Sequence, residues 1–140
     1  CDVRAKAGLG AAVSTTATER GGLDIRVPNS GIGSNSGGKE VQDMTEEMFD
    51  MTMNTNFRSV FLLCQLAFPL LKASAFAGKL ITIGSEYSIH GSPKGANYAS
   101  AKHAVVGCGP TQFVAYFPHF SFLRLVCNIY IYVHVYVHAG

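Results

Sequence analysis

Tyr98 and Lys102 stand four residues apart, a spacing that puts both side chains on one face of a helix. A phenol with a pKa of about 10 is a poor acid or base near neutrality. A neighbouring ammonium favours the phenolate and draws that pKa toward the working range. Taken alone, such a pair also fits an ordinary solvated helix face. Ser85 lies thirteen residues before Tyr98, just past the apolar run Lys79–Ile83. A hydroxyl there can donate to a substrate carbonyl and steady a developing alkoxide, or it can simply shape a turn. Asn56 sits in the middle of an apolar helical pattern, where a buried amide needs partners. It is either exposed, or it kinks the helix and holds a water.

The elements that must position these groups alternate between strand and helix. Ala5 to Arg20 has a helix-like composition, weakened by Gly8 and Gly10 and stopped at Gly21-Gly22. Leu23 to Val27 reads as a short buried strand, followed by a Gly/Ser/Asn loop from Pro28 to Lys39. Thr45 is a good N-cap, with Glu46 and Glu47 in the first turn where carboxylates favour a helix N-terminus. The pattern Met48, Phe49, Met51, Met53, Val60, Leu63, Ala67 and Leu70 predicts a long helix, with its methionines as core filler and Pro69 as a kink or terminator. Lys79–Ile83 is a second strand, and Asn97 to about Gly107 a helix after the Gly91–Gly95 turn. Strand, loop and helix repeated in this way imply parallel pairing with right-handed crossovers. In such sheets the site lies beyond the carboxyl ends of the strands, where Asn29-Ser30-Gly31 and Ser85 both fall.

Composition excludes several classes. The 140 residues are 48% hydrophobic and 14% charged, which indicates a globular core. Net charge is +2 with both signs interspersed, so no nucleic-acid partner is expected. Cys1, Cys64, Cys108 and Cys127 show no metal spacing and read as free thiols in a reducing compartment. His134 and His138 can share a face without an evident third ligand, so no metal is expected. The longest apolar stretch, Leu125 to Val137, falls short of the ~20 residues of a membrane-spanning helix. The protein is therefore read as soluble and cytoplasmic, with no membrane partner.

Four motifs in order carry a family resemblance. Gly22-Leu23-Asp24-Ile25-Arg26-Val27-Pro28-Asn29-Ser30-Gly31 resembles the G-[LI]-D-[IV]-L-V-N-N-A-G segment of short-chain dehydrogenases/reductases. Met53-Asn54-Thr55-Asn56-Phe57 resembles the segment that holds the family's catalytic Asn. Leu80-Ile81-Thr82-Ile83-Gly84-Ser85 is similar to its I-V-N-I-S-S strand end, and Tyr98-Ala99-Ser100-Ala101-Lys102 to Y-x-A-S-K with Ala and Ser exchanged. The stretches 44–50 and 66–71 are most similar to tropinone-reductase-like members.

The resemblance implies a partial Rossmann-like α/β domain over 1–110, a doubly wound parallel sheet in three α/β/α layers, with 111–140 as an atypical apolar tail. It implies an oxidoreductase that uses NAD or NADP to interconvert a ketone and a secondary alcohol as its small-molecule substrate. Tyr98 would be the acid/base, and Lys102 would lower its pKa and bind the nicotinamide ribose. Ser85 would orient the substrate oxygen, and Asn56 would anchor a proton-relay water. Asn29 and Gly31 would line the cofactor cleft, and Asp2 and Val3, at the end of a strand stump, would contact the adenine. Association into homo-oligomers would run through the helices near 45–73 and 97–110.

The departures matter as well. No glycine-rich strand–turn–helix fingerprint occurs in these residues, nor the residue that chooses between NAD and NADP. The 140 residues correspond to an internal piece of a longer family member. A truncated, non-enzymatic fragment unable to hold a dinucleotide is the alternative reading. Pro28 removes a backbone donor, and Arg26 puts a charge in a strand, unfavourable unless it is paired. Arg124–Asn128 falls where the family's sixth strand would lie, and Ile129–His138 favours strand and invites intermolecular pairing.

Overall fold

The computed structural model describes residues 1–34, 38–76, 78–114, 121–124 and 130–135. Helix α1 spans Lys6–Arg20 and ends at Gly21, whose φ of 75° is a left-handed conformation that glycine adopts without a Cβ clash. After a 3₁₀ turn at Val41–Asp43, α2 spans Glu46–Met53. The Thr45 hydroxyl accepts from the Met48 N–H at 3.3 Å, as a cap must. The Glu47 carboxyl is held below its usual range by its own backbone N–H and by the Thr45 hydroxyl. A π-helical turn, Asn54–Arg58, joins α2 to α3, Ser59–Lys72. Pro69 does not stop α3, which runs on to Lys72. Helix α4 covers Ala96–Val114, longer than the expected segment.

Strand β1, Ile25–Arg26, pairs in parallel with β2, Lys79–Ile83, as the element order required. The register sets Ile25 opposite Lys79 and Arg26 opposite Leu80. The reading of Leu23–Val27 as a buried strand is corrected: Ile25 is 54% and Val27 43% exposed. Among the described residues β1 has a neighbour on one side only, and Pro28 has no N–H with which to prolong the ladder. The strand stump at Cys1-Asp2-Val3 is corrected too. Val3 and Arg4 form a turn, and the Arg4 guanidinium grips the Asp2 carboxylate at 2.7 Å. No described strand lies beside it to hold it extended.

Beyond α4, β3 (Ser121–Arg124) and β4 (Tyr130–Val135) form an antiparallel pair, and the sheet order is β1-β2-β4-β3. The described part of the strand-favouring window, Tyr130–Val135, pairs with β2 of its own chain, with Ile83 opposite Ile131. The strand beside β2 on this edge runs antiparallel to it. Of the segment expected as a sixth strand, only Arg124 lies within the described residues, as do His134 but not His138.

One core cluster joins Leu23, α3 (Val60, Cys64, Ala67, Leu71), Leu80 of β2 and Val105 of α4. A second joins Leu9 and Val13 of α1 to Leu62 and Leu63 of α3, with Val3 against it. Full burial of each such Leu contributes about 1.5–3 kcal/mol. The helices gather on the face of β2 that carries Leu80 and Thr82, while Lys79, Ile81 and Ile83 on the other face are only half-buried. The described residues thus supply one helical layer of the three-layer arrangement.

Where α3 turns back into β2, Gly78 packs flat against the Leu71 backbone, and an added Cβ would overlap the Leu71 carbonyl. Neither partner is a movable side-chain tip. Gly78→Ala is therefore expected to destabilise by about 3 kcal/mol, read by chemical denaturation. A loss below about 0.5 kcal/mol would show that this approach is not a packing constraint.

Candidate active site

Because β1 and β2 run in parallel, the segments leaving them, 27–34 and 84–88, emerge at the same edge of the sheet. The first is fixed by Asn56. This amide is 2% exposed, accepts from the Ile32 N–H at 2.7 Å and donates to the Ile32 carbonyl at 2.7 Å. Asn56 lies in the π turn, where the helix is locally overfilled and its hydrogen-bond ladder is offset. Asn56 is thus buried in the π turn rather than exposed, with its amide spent on Ile32. Gly31 is packed beside it, and a Cβ there would meet Asn56 Oδ1 at 3.3 Å.

The second segment is a 3₁₀ turn, Glu86–Ser88, capped by Ser85. The Ser85 hydroxyl accepts from the Tyr87 N–H at 3.3 Å, and the Ser88 hydroxyl accepts from the Ser85 N–H at 2.9 Å. The Ser85 hydroxyl proton is left to donate elsewhere. Tyr87 sets its ring edge-on to Tyr98, with centroids 6.1 Å apart, and so ties the Ser85 turn to α4.

Helix α4 is preceded by a glycine, Gly95, with φ of 102°, and the Tyr98 N–H bonds the Gly95 carbonyl at 3.1 Å. One turn on, Lys102 lies with its Nζ 5.7 Å from the Tyr98 ring centroid and donates to the Ile83 carbonyl at 3.0 Å. That carbonyl is two residues before Ser85, so the ammonium sits between the strand end and the phenol. Burial without a counter-ion lowers the Lys102 pKa from its usual value. The Tyr98 hydroxyl has no hydrogen-bond partner among the described residues.

The structure therefore brings Ser85, Tyr98 and Lys102 together around one strand end and places Asn56 and Gly31 at the neighbouring one. Asn29 is exposed on the same segment. Asp2 bonds Arg4, and Val3 packs against the α1–α3 cluster. Among the described residues no hydrogen bond or ion pair links either of them to Tyr98 or Lys102. Sequence reasoning missed Asn97, which is fully buried and accepts from the Ser34 hydroxyl at 2.9 Å. Its position before Tyr98 was visible, but its partners come from segments far off in sequence. Among the described residues no cluster of His, Cys, Asp or Glu could hold a metal, and no helix is long and apolar enough to cross a membrane.

The family pattern of short chain dehydrogenases matches residues 1–111. The chain belongs to the short-chain dehydrogenase family. A 3-ketodihydrosphingosine reductase of Bacteroides thetaiotaomicron is 35% identical over 96 residues, 69% of this chain and 34% of that protein. A 2-(R)-hydroxypropyl-CoM dehydrogenase of Xanthobacter autotrophicus is 31% identical over 105 residues, 75% of this chain and 42% of that protein. The crystal structure of levodione reductase superposes with a TM-score of 0.75 at 27% identity, covering 83% of this chain and 44% of that one. The chain thus spans about a third to less than half of the length of these relatives.

Two outcomes test this geometry. Replacing Asn56 by Leu leaves the Ile32 N–H and carbonyl without their partner and should destabilise by about 1–3 kcal/mol, measured by denaturant titration. A neutral effect would mean that water replaces the amide freely. For Lys102, the folded-state pKa lies below the unfolded one, so the folded state sheds its proton first and stability rises with pH. The gain accrues between the lowered pKa and the ordinary Lys value of about 10.4. Melting temperatures of the wild type should therefore rise relative to Lys102→Met as pH climbs into that window. A difference that stays flat would contradict the burial of this ammonium.

Proposed function

We propose that these residues form the acid/base half of an NAD- or NADP-dependent oxidoreductase that interconverts a ketone and a secondary alcohol. The observation that carries this reading is the Lys102 ammonium, held on the Ile83 carbonyl beside the Tyr98 ring, while the Tyr98 hydroxyl has no partner among the described residues. The names of the relatives, a ketone-substrate reductase and a secondary-alcohol dehydrogenase, support the same pair of functional groups. The stretches 44–50 and 66–71 favour a tropinone-reductase-like relative within the family.

The residues present fit the nicotinamide-ribose end of a dinucleotide. Lys102 spends one N–H on Ile83 and has two left for ribose hydroxyls. Asn29 and Gly31 would line the cleft beside it, and Asp2 and Val3 would meet the adenine. The bound dinucleotide supplies or accepts the hydride. Tyr98 gives its phenolic proton to the carbonyl oxygen in reduction and takes the alcohol proton in oxidation. The positive charge of Lys102 lowers the free energy of the phenolate that results. Ser85, whose lone pair is engaged by Tyr87, turns its proton toward the substrate oxygen and holds it in line with Tyr98. Asn56 holds the Ile32 segment, and the offset π turn around it is where a relay water from Lys102 would be bound.

In this reading residues 1–110 would be the partial catalytic domain and 111–140 an atypical apolar tail, whose described strands β3 and β4 join the sheet beside β2. Cys1 and Cys64 form no disulfide among the described residues, which supports a reducing compartment such as the cytoplasm. Exposed Met51 and Phe61 on α2 and α3 support association between copies.

The second reading, a chain that keeps these side chains without turning over, is favoured by Arg26. Its Nε is buried with no hydrogen-bond partner among the described residues. Titration with NADH and NADPH, followed by nicotinamide fluorescence, separates the two: saturable binding supports the enzyme, and no binding supports the non-enzymatic chain. Where turnover of a ketone panel is observed, Tyr98→Phe should lower it by about 10²- to 10⁴-fold without loss of fold. Activity close to wild type in that variant would remove Tyr98 from the mechanism.

A further inference from the structure

Asn97 is a fully buried amide on α4, next to the phenol of the proposed site. Every polar atom of its side chain is used. Its Nδ2 donates to the Thr52 hydroxyl at 2.9 Å and to the Met48 carbonyl at 3.2 Å, both on α2. Its Oδ1 accepts from the Ser34 hydroxyl at 2.9 Å and from the Tyr98 N–H at 2.9 Å. One side chain thus joins three segments: the strand-end segment that closes with Ser34, helix α2, and the first turn of α4.

The Ser34 end of this link is sterically confined as well. A Cβ at Gly95 would lie 3.0 Å from Ser34 Oγ, so the segment lies close against the start of α4. Two residues earlier, Ile32 is held by Asn56 from the other helix through both of its backbone groups. Each of two buried asparagines therefore holds the segment, and the Asn97 link reaches the helix that carries Tyr98 and Lys102. A leucine of similar volume at 97 would remove the bonds to the Ser34 hydroxyl, the Thr52 hydroxyl and the Met48 carbonyl together.

We infer that Asn97 is a positioning residue: it clamps the Asn29–Ser34 segment to the first turn of α4, so that the cofactor-side backbone and the Tyr98–Lys102 pair keep one fixed relation. Its bearing on catalysis rests on the oxidoreductase reading, whereas the clamp itself is a property of the folded chain. Asn97 touches no reacting group; it acts through Tyr98 and Ser34.

Amide hydrogen exchange on the 140-residue chain tests the clamp without cofactor or turnover. In Asn97→Leu, exchange at Ile32, Gly33 and Ser34 and at Tyr98 should quicken about tenfold, while Leu80 and Ile81 in β2 stay protected. A residue with a merely structural role would quicken all of these in step. Ser34→Ala removes the same link from the far side, leaves α4 untouched and keeps the test open if Asn97→Leu does not fold. It should quicken the same segment, and the double variant should be no faster than either single one. Ser34→Thr, which keeps the hydroxyl, should restore protection. Unchanged exchange at 32–34 in Ser34→Ala, or strict additivity in the double variant, would overturn the clamp. That result would leave the oxidoreductase reading standing, just as failure to bind NADH or NADPH would leave the clamp standing.

Discussion

Parallel pairing of β1 with β2 is the constraint from which the rest of this structure follows. Two strands running the same way must both release their chains at one edge of the sheet, and the helices that return the chain must cross its face. The segment ending at Ser34 and the turn beginning at Ser85 are therefore neighbours although some fifty residues separate them. With two residues, β1 is short, yet it suffices, because Lys79 also donates to the Asp24 carbonyl at 2.7 Å and fixes the register.

At that edge, polar groups are buried in a manner opposite to the core beneath. The core clusters are aliphatic and locate the helices without directing any side chain to a particular atom. The buried asparagines supply direction. Asn56 and Asn97 between them engage Ile32, Ser34, Met48, Thr52 and Tyr98, and each bond carries a geometric requirement that an aliphatic contact lacks. Lys102 depends on the same logic. Its ammonium sits on a strand-end carbonyl in a half-buried place, which weakens its hold on its proton and keeps it beside Tyr98.

Strand β1 itself behaves differently. Ile25 and Val27 are exposed, the Arg26 guanidinium is half-buried, and its hold on its proton is weakened by desolvation. Near it, burial raises the Cys64 thiol to about 12, so this cysteine stays protonated and serves as a small core residue. Membership of the short-chain dehydrogenase family accounts for the helix order and the strand ends. The antiparallel β3–β4 pair is decided locally: two strands joined by a short connection pair antiparallel, and β4 is the one that meets β2.

By itself the sequence determined the order of elements, the bounds of β2, the Thr45 cap, the Gly21 stop, and the four polar residues around two strand ends. These are legible because they depend on periodicity, on capping chemistry and on spacing along one chain. Tertiary structure alone decided that Asn56 binds Ile32, that Asn97 binds Ser34, Thr52 and Met48, and that Gly78 lies on the Leu71 backbone. It also decided that Asp2 turns back to Arg4 and that the terminal window joins β2. The asparagine bonds join segments 24 to 63 residues apart, the β2 pairing is a choice between strand-prone partners, and the Asp2 and Gly78 contacts are local but depend on what packs or fails to pack beside them. No local propensity encodes such choices, because the free energy that settles them exists only once the sheet edge has been assembled.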